Sequence, residues 1–415
     1  MEKTTFNASV IHFLLMFGYK LFSLYFPLYL VSIGLSVISV GWVYLLIYAT
    51  IALSTIATNF WIHKINPAKA ASLGILGYGI YALLMLLNPG TFVFYFAQIL
   101  LGFSSSLWLV SLKSIIIDSH PHNYNNSFGW FYSAPEYASA LAPAIGGLVI
   151  YKFGFNGVFA LSFLIQVTNA IWAYHKLKGI STSVITTFHD TPIRSPACRQ
   201  AGISKTFNLN NLKQNYKEIF YSLRKDKVAS FALIVLFIAL ILGGIFRPYF
   251  VLFLKDLNYS QNNIIAFLSL LSIIFIPLSW ITIKYIGKIT SYKNIFIGVT
   301  LNGIIFIIIG FLSNLLNIIF LFILLLIDAL AGLMAGSGKS GMIAQKFAKF
   351  KEEASTIDTI LVTLGPGIGS MIGGIVISQI GFAPTFLIGG LTVLAFSLMF
   401  YFFTKSSKAK TQEYV

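Results

Sequence analysis

Residues 129–147 read G-W-F-Y-S-A-P-E-Y-A-S-A-L-A-P-A-I-G-G. The stretch is apolar enough to cross a bilayer, yet it holds Gly129, Gly146 and Gly147, two prolines and one carboxylate, Glu136. Small residues on a membrane helix let a neighbouring backbone come close. A carboxylate inside the same helix is costly, which makes it a functional candidate by default.

A second copy lies 227 residues further on. Residues 145–159, I-G-G-L-V-I-Y-K-F-G-F-N-G-V-F, are answered by residues 372–386, I-G-G-I-V-I-S-Q-I-G-F-A-P-T-F. Gly146 and Gly147 recur as Gly373 and Gly374. Three more places repeat at nearly this offset. F-S-L-Y-F-P-L-Y-L (22–30) pairs with F-R-P-Y-F-V-L-F-L (246–254), H-K-I-N-P-A-K-A (63–70) with G-K-I-T-S-Y-K-N (287–294), and S-L-K-S (111–114) with S-G-K-S (337–340). The repeat implies a duplicated six-helix unit. Both copies share one orientation, because an even number of spans separates them.

Composition agrees. Hydrophobic residues make up 57% and charged residues 10% of the 415, whereas a soluble domain carries roughly 25% charged residues. A span needs about 20 mostly apolar residues. Twelve such stretches are expected, at about 8–33, 37–60, 70–88, 91–117, 128–151, 155–175, 229–254, 262–284, 294–313, 316–341, 356–380 and 384–404. The expected fold is an all-α polytopic membrane protein with twelve transmembrane helices in two pseudo-symmetric six-helix bundles. Residues 1–178 form the first bundle, 179–228 a central loop, 229–405 the second bundle and 406–415 a tail.

The formal net charge is +16. With both termini in the cytoplasm, only Lys152 and Lys255 fall in outer loops, and most of the 28 Lys and Arg residues fall inside. That is the usual cytoplasmic excess of a multi-pass protein, here expected in the cell membrane. It removes the nucleic-acid reading, since no basic binding face is needed to explain the charge. No cleavable signal peptide is expected. The single cysteine, Cys198, excludes an internal disulfide. Of the sequons at Asn7, Asn125 and Asn258, only Asn258 would face outward.

In the central loop, Leu209, Leu212, Tyr216, Ile219, Phe220 and Leu223 form one helical stripe, with Lys213, Lys217, Arg224, Lys225 and Lys227 off it. A basic amphipathic helix of this kind is expected on the inner membrane surface, or as a partner-binding helix. The A-G-S-G-K-S-G run at 335–341 is not a phosphate loop. The required first glycine would fall at Leu333.

These residues resemble the major facilitator superfamily over nearly the whole chain. The fifth-span glycine pattern of that family falls on Gly129, Ala138, Ala142, Pro143, Gly146 and Gly147, with two Gly-to-Ala departures. The resemblance implies an association with antiporters, drug exporters among them. The family's D-R-x-G-R-R loop falls on His63, Lys64, Asn66, Pro67, Ala68 and Lys69, where the aspartate is absent. The fourth-span arginine of many members falls at Gln98.

Candidate chemistry rests on charges inside the spans: Glu136, Lys20, Asp328 and Arg247. Glu136, in an apolar and intermittently wet site, is the first candidate to load and release a proton; a structural ion pair is the alternative. Lys20 would pair with Glu136 or meet an anion. Arg247 suits a carboxylate or phosphate if it faces inward. Asp328 would serve as proton site, cation site or partner of Lys339, though eleven residues strain that pairing. Lys113, Lys339, Asp118 and Asp358 lie nearer the cytoplasmic ends as inner-gate candidates; the lysines would bond helix-end carbonyls or snorkel. Tyr25, Tyr249 and Gln98 are cavity candidates. His12, His63, His120 and His122 show no metal-ligand spacing. No catalytic set, metal or cofactor is expected.

The expected function is secondary transport of a small organic solute by alternating access, coupled to protons, by a chain working as a monomer, with export ahead of uptake. One alternative is proton-symport or facilitated uptake of a metabolite, including an anion met by Lys20 and Arg247. The other is a transporter-like sensor or scaffold.

Overall fold

A computed structural model describes residues 2–62, 65–87, 90–119, 121–186, 209–313 and 317–412. His63, Lys64, His120, Cys198 and most of the central loop lie outside the described residues. Among the described residues there is no strand. The helices are α1 (Lys3–Ser23), α2 (Phe26–Ser32), α3 (Val37–Ile62), α4 (Pro67–Leu86), α5 (Thr91–Asp118), α6 (Tyr124–Thr186), α7 (Leu209–Lys225), α8 (Lys227–Phe246), α9 (Phe250–Asp256), α10 (Gln261–Ile286), α11 (Ser291–Phe311), α12 (Ile318–Lys346), α13 (Lys351–Ile380) and α14 (Phe382–Gln412).

Ten of these helices are long and apolar enough to cross a membrane. Two features bring this count to the expected twelve. First, α6 breaks at Gly154, where φ is +66°, so it contains two spans. Gly381, between α13 and α14, repeats the break with φ +81°. Only glycine adopts such a backbone without strain. Second, α1 and α2 together make the first span. That span and the seventh are interrupted alike: α1 gives way to α2 around Leu24 and Tyr25, and α8 to α9 around Arg247 and Tyr249. Pro27 opens α2 and Pro248 stands inside the second break; a proline has no N–H to continue the ladder.

Within the halves, α1 packs on α6 and α8 on α13; between them, α3 packs on α13 and α6 on α10. The small residues of the opening stretch sit at these contacts. A Cβ on Gly146 would overlap the carbonyl oxygen of Leu21. At the repeated position, a Cβ on Gly373 would stand 3.1 Å from Ile245 Cα. Gly374 lies against the Tyr249 hydroxyl, and Gly129 against Ile283 of the opposite half. Pro143 supplies a carbonyl to Tyr25.

Helix α7 divides its apolar stripe. Ile219 is fully buried and Leu223 packs on the core, while Asn215 Nδ2 donates to Glu353 Oε1 of α13 at 2.8 Å. Phe220 and Tyr221 instead stand exposed among Lys213, Lys217, Arg224 and Lys225, with the Lys225 ammonium over the Tyr221 ring.

Candidate functional site

Two charged regions occupy the interior. The first gathers Lys20, Glu136, Arg247 and Asp328. Lys20 Nζ lies 3.9 Å from Glu136 Oε1 and donates to Ser139 Oγ, one helical turn beyond Glu136. Ser139 in turn donates to the Pro135 carbonyl at 3.1 Å. Glu136 keeps 38% of its side chain accessible. In the other half, Asn302 Nδ2 donates to Asp328 Oδ1 at 2.5 Å. Arg247 points toward Gly332, one turn along α12 from Asp328. The four feel one another electrostatically: Arg247 acts on Lys20, Asp328 and Tyr48, and Glu136 on Asp328. Each half thus supplies one cation and one anion to a shared space.

The second region lies toward the end of the bundle where α1 starts, an end marked by the Glu2 carboxylate accepting the His122 amide at 3.0 Å. Here Asp358 of α13 meets two lysines. Its Oδ2 takes Lys113 Nζ of α5 at 2.7 Å and the Tyr132 hydroxyl of α6 at 3.0 Å. Its Oδ1 takes Lys339 Nζ of α12 at 2.7 Å and the Ser340 hydroxyl at 2.7 Å. Lys113, Lys339 and Asp358 are all buried. The two ammonium groups each stand 5.8 Å from the centre of the Tyr132 ring. Lys113 also donates to Thr359 Oγ1 at 3.2 Å.

Neighbouring bonds join the halves at this end. Asn123 Nδ2 donates to the Gly287 carbonyl at 2.8 Å, and Ser291 Oγ to Asn125 Oδ1 at 3.0 Å. Ser355 Oγ donates to the Val110 carbonyl at 2.9 Å. Tyr132 and Ser340 share a hydrogen bond of 2.8 Å.

The sequence profile of the Major Facilitator Superfamily matches residues 8–357. The chain belongs to the Major Facilitator Superfamily.

Solved structures of similar fold include a POT family transporter in complex with a thioalcohol-conjugated peptide and one in complex with 5-aminolevulinic acid. Each is 17% identical with TM-score 0.67, covering 97% of this chain and 96% of the other. The human organic anion transporter MFSD10 is 12% identical with TM-score 0.70, covering 96% of this chain and 99% of that one. At these identities the likeness is one of fold. No curated protein matches the chain. Membership and fold make it an integral multi-pass membrane protein of a solute-transporting family.

The remaining candidate residues fall as follows. Lys113 and Lys339 do not snorkel: with 0% and 1% exposure they are buried on a shared carboxylate. Asp328 pairs with Asn302 rather than Lys339. Asp118 ends α5 as an electrostatic neighbour of Tyr124. Gln98 is buried and donates to the Phe94 carbonyl at 3.3 Å. Tyr25 and Tyr249 are buried in helix contacts, their hydroxyls bound to carbonyls.

Tyr132, Ser340 and Asn302 were not singled out from the sequence. For Tyr132 a signal existed: it lies three residues after Gly129, inside the opening stretch. His12, whose spacing fits no metal site, is buried. It contacts the Phe131 carbonyl through Nδ1 at 2.9 Å, with its ring 4.8 Å from that of Trp108.

Proposed function

We propose that this chain is a secondary carrier of a small organic solute, working by alternating access and coupled to protons. The observation that carries this reading is the convergence of Lys20, Glu136, Arg247 and Asp328, two charges from each half, on one mid-span space. Ionisable groups at this depth are too costly to be kept without pairing or use. A site shared by two halves is one that their rocking alternately exposes.

Glu136 is the proton site of this proposal. Its accessibility and its long, 3.9 Å contact with Lys20 leave it open to water. The Lys113–Asp358–Lys339 cluster is the inner gate, holding the halves together at the cytoplasmic end. The fifth-span pattern favours export, by its resemblance to antiporters.

A second reading is uptake of an anion. Among the described residues Arg247 is in no ion pair, and a guanidinium fork suits a carboxylate. One structure of similar fold is described as an organic anion transporter. Vesicles loaded with matched cationic, anionic and zwitterionic amino or organic acids separate the two. Export of cations supports the first reading. Proton-linked anion uptake that is abolished by Arg247→Gln supports the second. The absence of flux for every class would leave a sensor or scaffold.

A further inference from the structure

The gate carboxylate is divided between the halves. Asp358 Oδ2 takes only first-half donors, Lys113 and Tyr132. Asp358 Oδ1 takes only second-half donors, Lys339 and Ser340. Lys113 and Lys339 occupy equivalent repeat positions, but the position equivalent to Asp358 in the first half is Phe131. The duplication therefore yields two lysines and one carboxylate. The buried cluster carries one more ammonium than carboxylate.

We infer that Lys339 is the residue that sets the strength of this gate, keeping it weak enough to release. The inference rests on the reading above that the halves part at this end. Parting the halves removes Lys113 and Tyr132 from Oδ2, while Oδ1 keeps Lys339 and Ser340. Asp358 is then not stranded and only the Lys113 ammonium must be taken up by entering water; stranding both charges of a buried pair would make the parting more expensive. In the closed state Lys339 acts in the opposite sense. It places a second ammonium on the carboxylate that Lys113 must share, and like charges in a poorly hydrated site repel strongly. Both effects lower the cost of opening. Lys339 is thus a positioning residue acting through Asp358, not a solute ligand.

A lysine that merely supported folding would leave the gate looser when removed. The inference requires the reverse: with Lys339 replaced by an uncharged residue, Lys113 and Asp358 form a balanced pair, still steadied by Ser340, and the end closes more firmly. The test measures distances between spin labels at Lys69→Cys and Lys293→Cys in a Cys198→Ser background, in phospholipid vesicles. Lys69 and Lys293 are exposed repeat-related residues near the starts of α4 and α11, one on each half.

The native sequence should show a short and a long distance. Lys339→Met should move the ratio toward the short one by on the order of tenfold, the effect of relieving one like-charge contact. Lys339→Arg, which keeps the charge, should hold the native ratio. Lys339→Gln must shift like Lys339→Met, and serves if the methionine variant folds poorly. An unchanged ratio, or a move toward the long distance, overturns the inference while leaving alternating access intact. A single distance in the native protein under every condition overturns the underlying reading, and the inference with it.

Discussion

Tyr25 and Tyr249 make the same bond in the two halves. Tyr25 donates its hydroxyl to the Pro143 carbonyl at 2.8 Å, and Tyr249 donates to the Ser370 carbonyl at 2.6 Å. Each tyrosine stands at the break in its span, and each acceptor lies on the small-residue helix packed beside it. The repeat has preserved the bond although proline has become serine, because the acceptor is backbone. Tyr25→Phe and Tyr249→Phe should each lower stability by about 0.6–1.5 kcal/mol, the range of a single hydrogen bond in a membrane bundle. Thermal unfolding in detergent would show this, with solute affinity unchanged. A loss of affinity at unchanged stability would instead assign the tyrosines to the solute site.

The two glycine contacts differ in tightness. At Gly146 an added Cβ overlaps the Leu21 carbonyl outright, whereas at Gly373 the nearest backbone atom would be 3.1 Å away. Gly146→Ala should therefore cost about 1–3 kcal/mol, the scale of overpacking, and Gly373→Ala clearly less. Equal melting temperatures for the two variants would contradict the asymmetry.

Asp358→Asn leaves Lys113 and Lys339 buried on an amide. Removing the anionic partner of a buried pair costs roughly 3–5 kcal/mol. The expected outcome is a protein that melts early and whose labelled Lys69 and Lys293 positions sit at the long distance. Asp358→Glu should recover part of both.

One pH dependence lies outside the spans. Asp226 caps α8, accepting from the Ala229 amide at 2.9 Å, and pairs with Lys346. Partial burial pushes its carboxyl upward, but the Lys346 and Ala229 hydrogen bonds outweigh this and hold it below its usual 3.8. A folded-state value below the unfolded one means the stabilisation is present above pH 3.8 and is lost as pH falls through the folded value. Melting temperature measured from pH 6 down to 3 should fall less steeply for Asp226→Asn. Identical acid limbs would show that Asp226 contributes nothing to acid sensitivity.

The twelve spans were legible because hydrophobic length and a 224–227 residue repeat are linear properties of the chain. The close packing at Gly146 was legible for the same reason: a glycine on an apolar helix has few other uses. The buried Lys113–Asp358–Lys339 cluster was only half legible. Lys113, Lys339 and Asp358 could each be placed near one end, but their meeting at one carboxylate depends on how the halves sit together, which no spacing within one helix encodes. Tyr132 lies inside the opening stretch, but its place there does not show which of 21 tyrosines turns its hydroxyl to a carboxylate of the opposite half. Asp328 was expected beside Lys339 as one option. It instead bonds Asn302 on the adjacent helix α11, since neighbours on another helix are as close as neighbours on one's own.

Glu136 carries the central claim, and the measurement that tests it most directly is solute-driven proton movement in reconstituted vesicles. The native chain is compared with Glu136→Gln across cationic, anionic and neutral solutes. The account predicts that at least one solute moves protons in the native chain, and that Glu136→Gln abolishes this movement while solute binding persists. If solute crosses without protons, and Glu136→Gln only lowers stability, Glu136 is a structural partner of Lys20 and the proton-coupled reading is wrong.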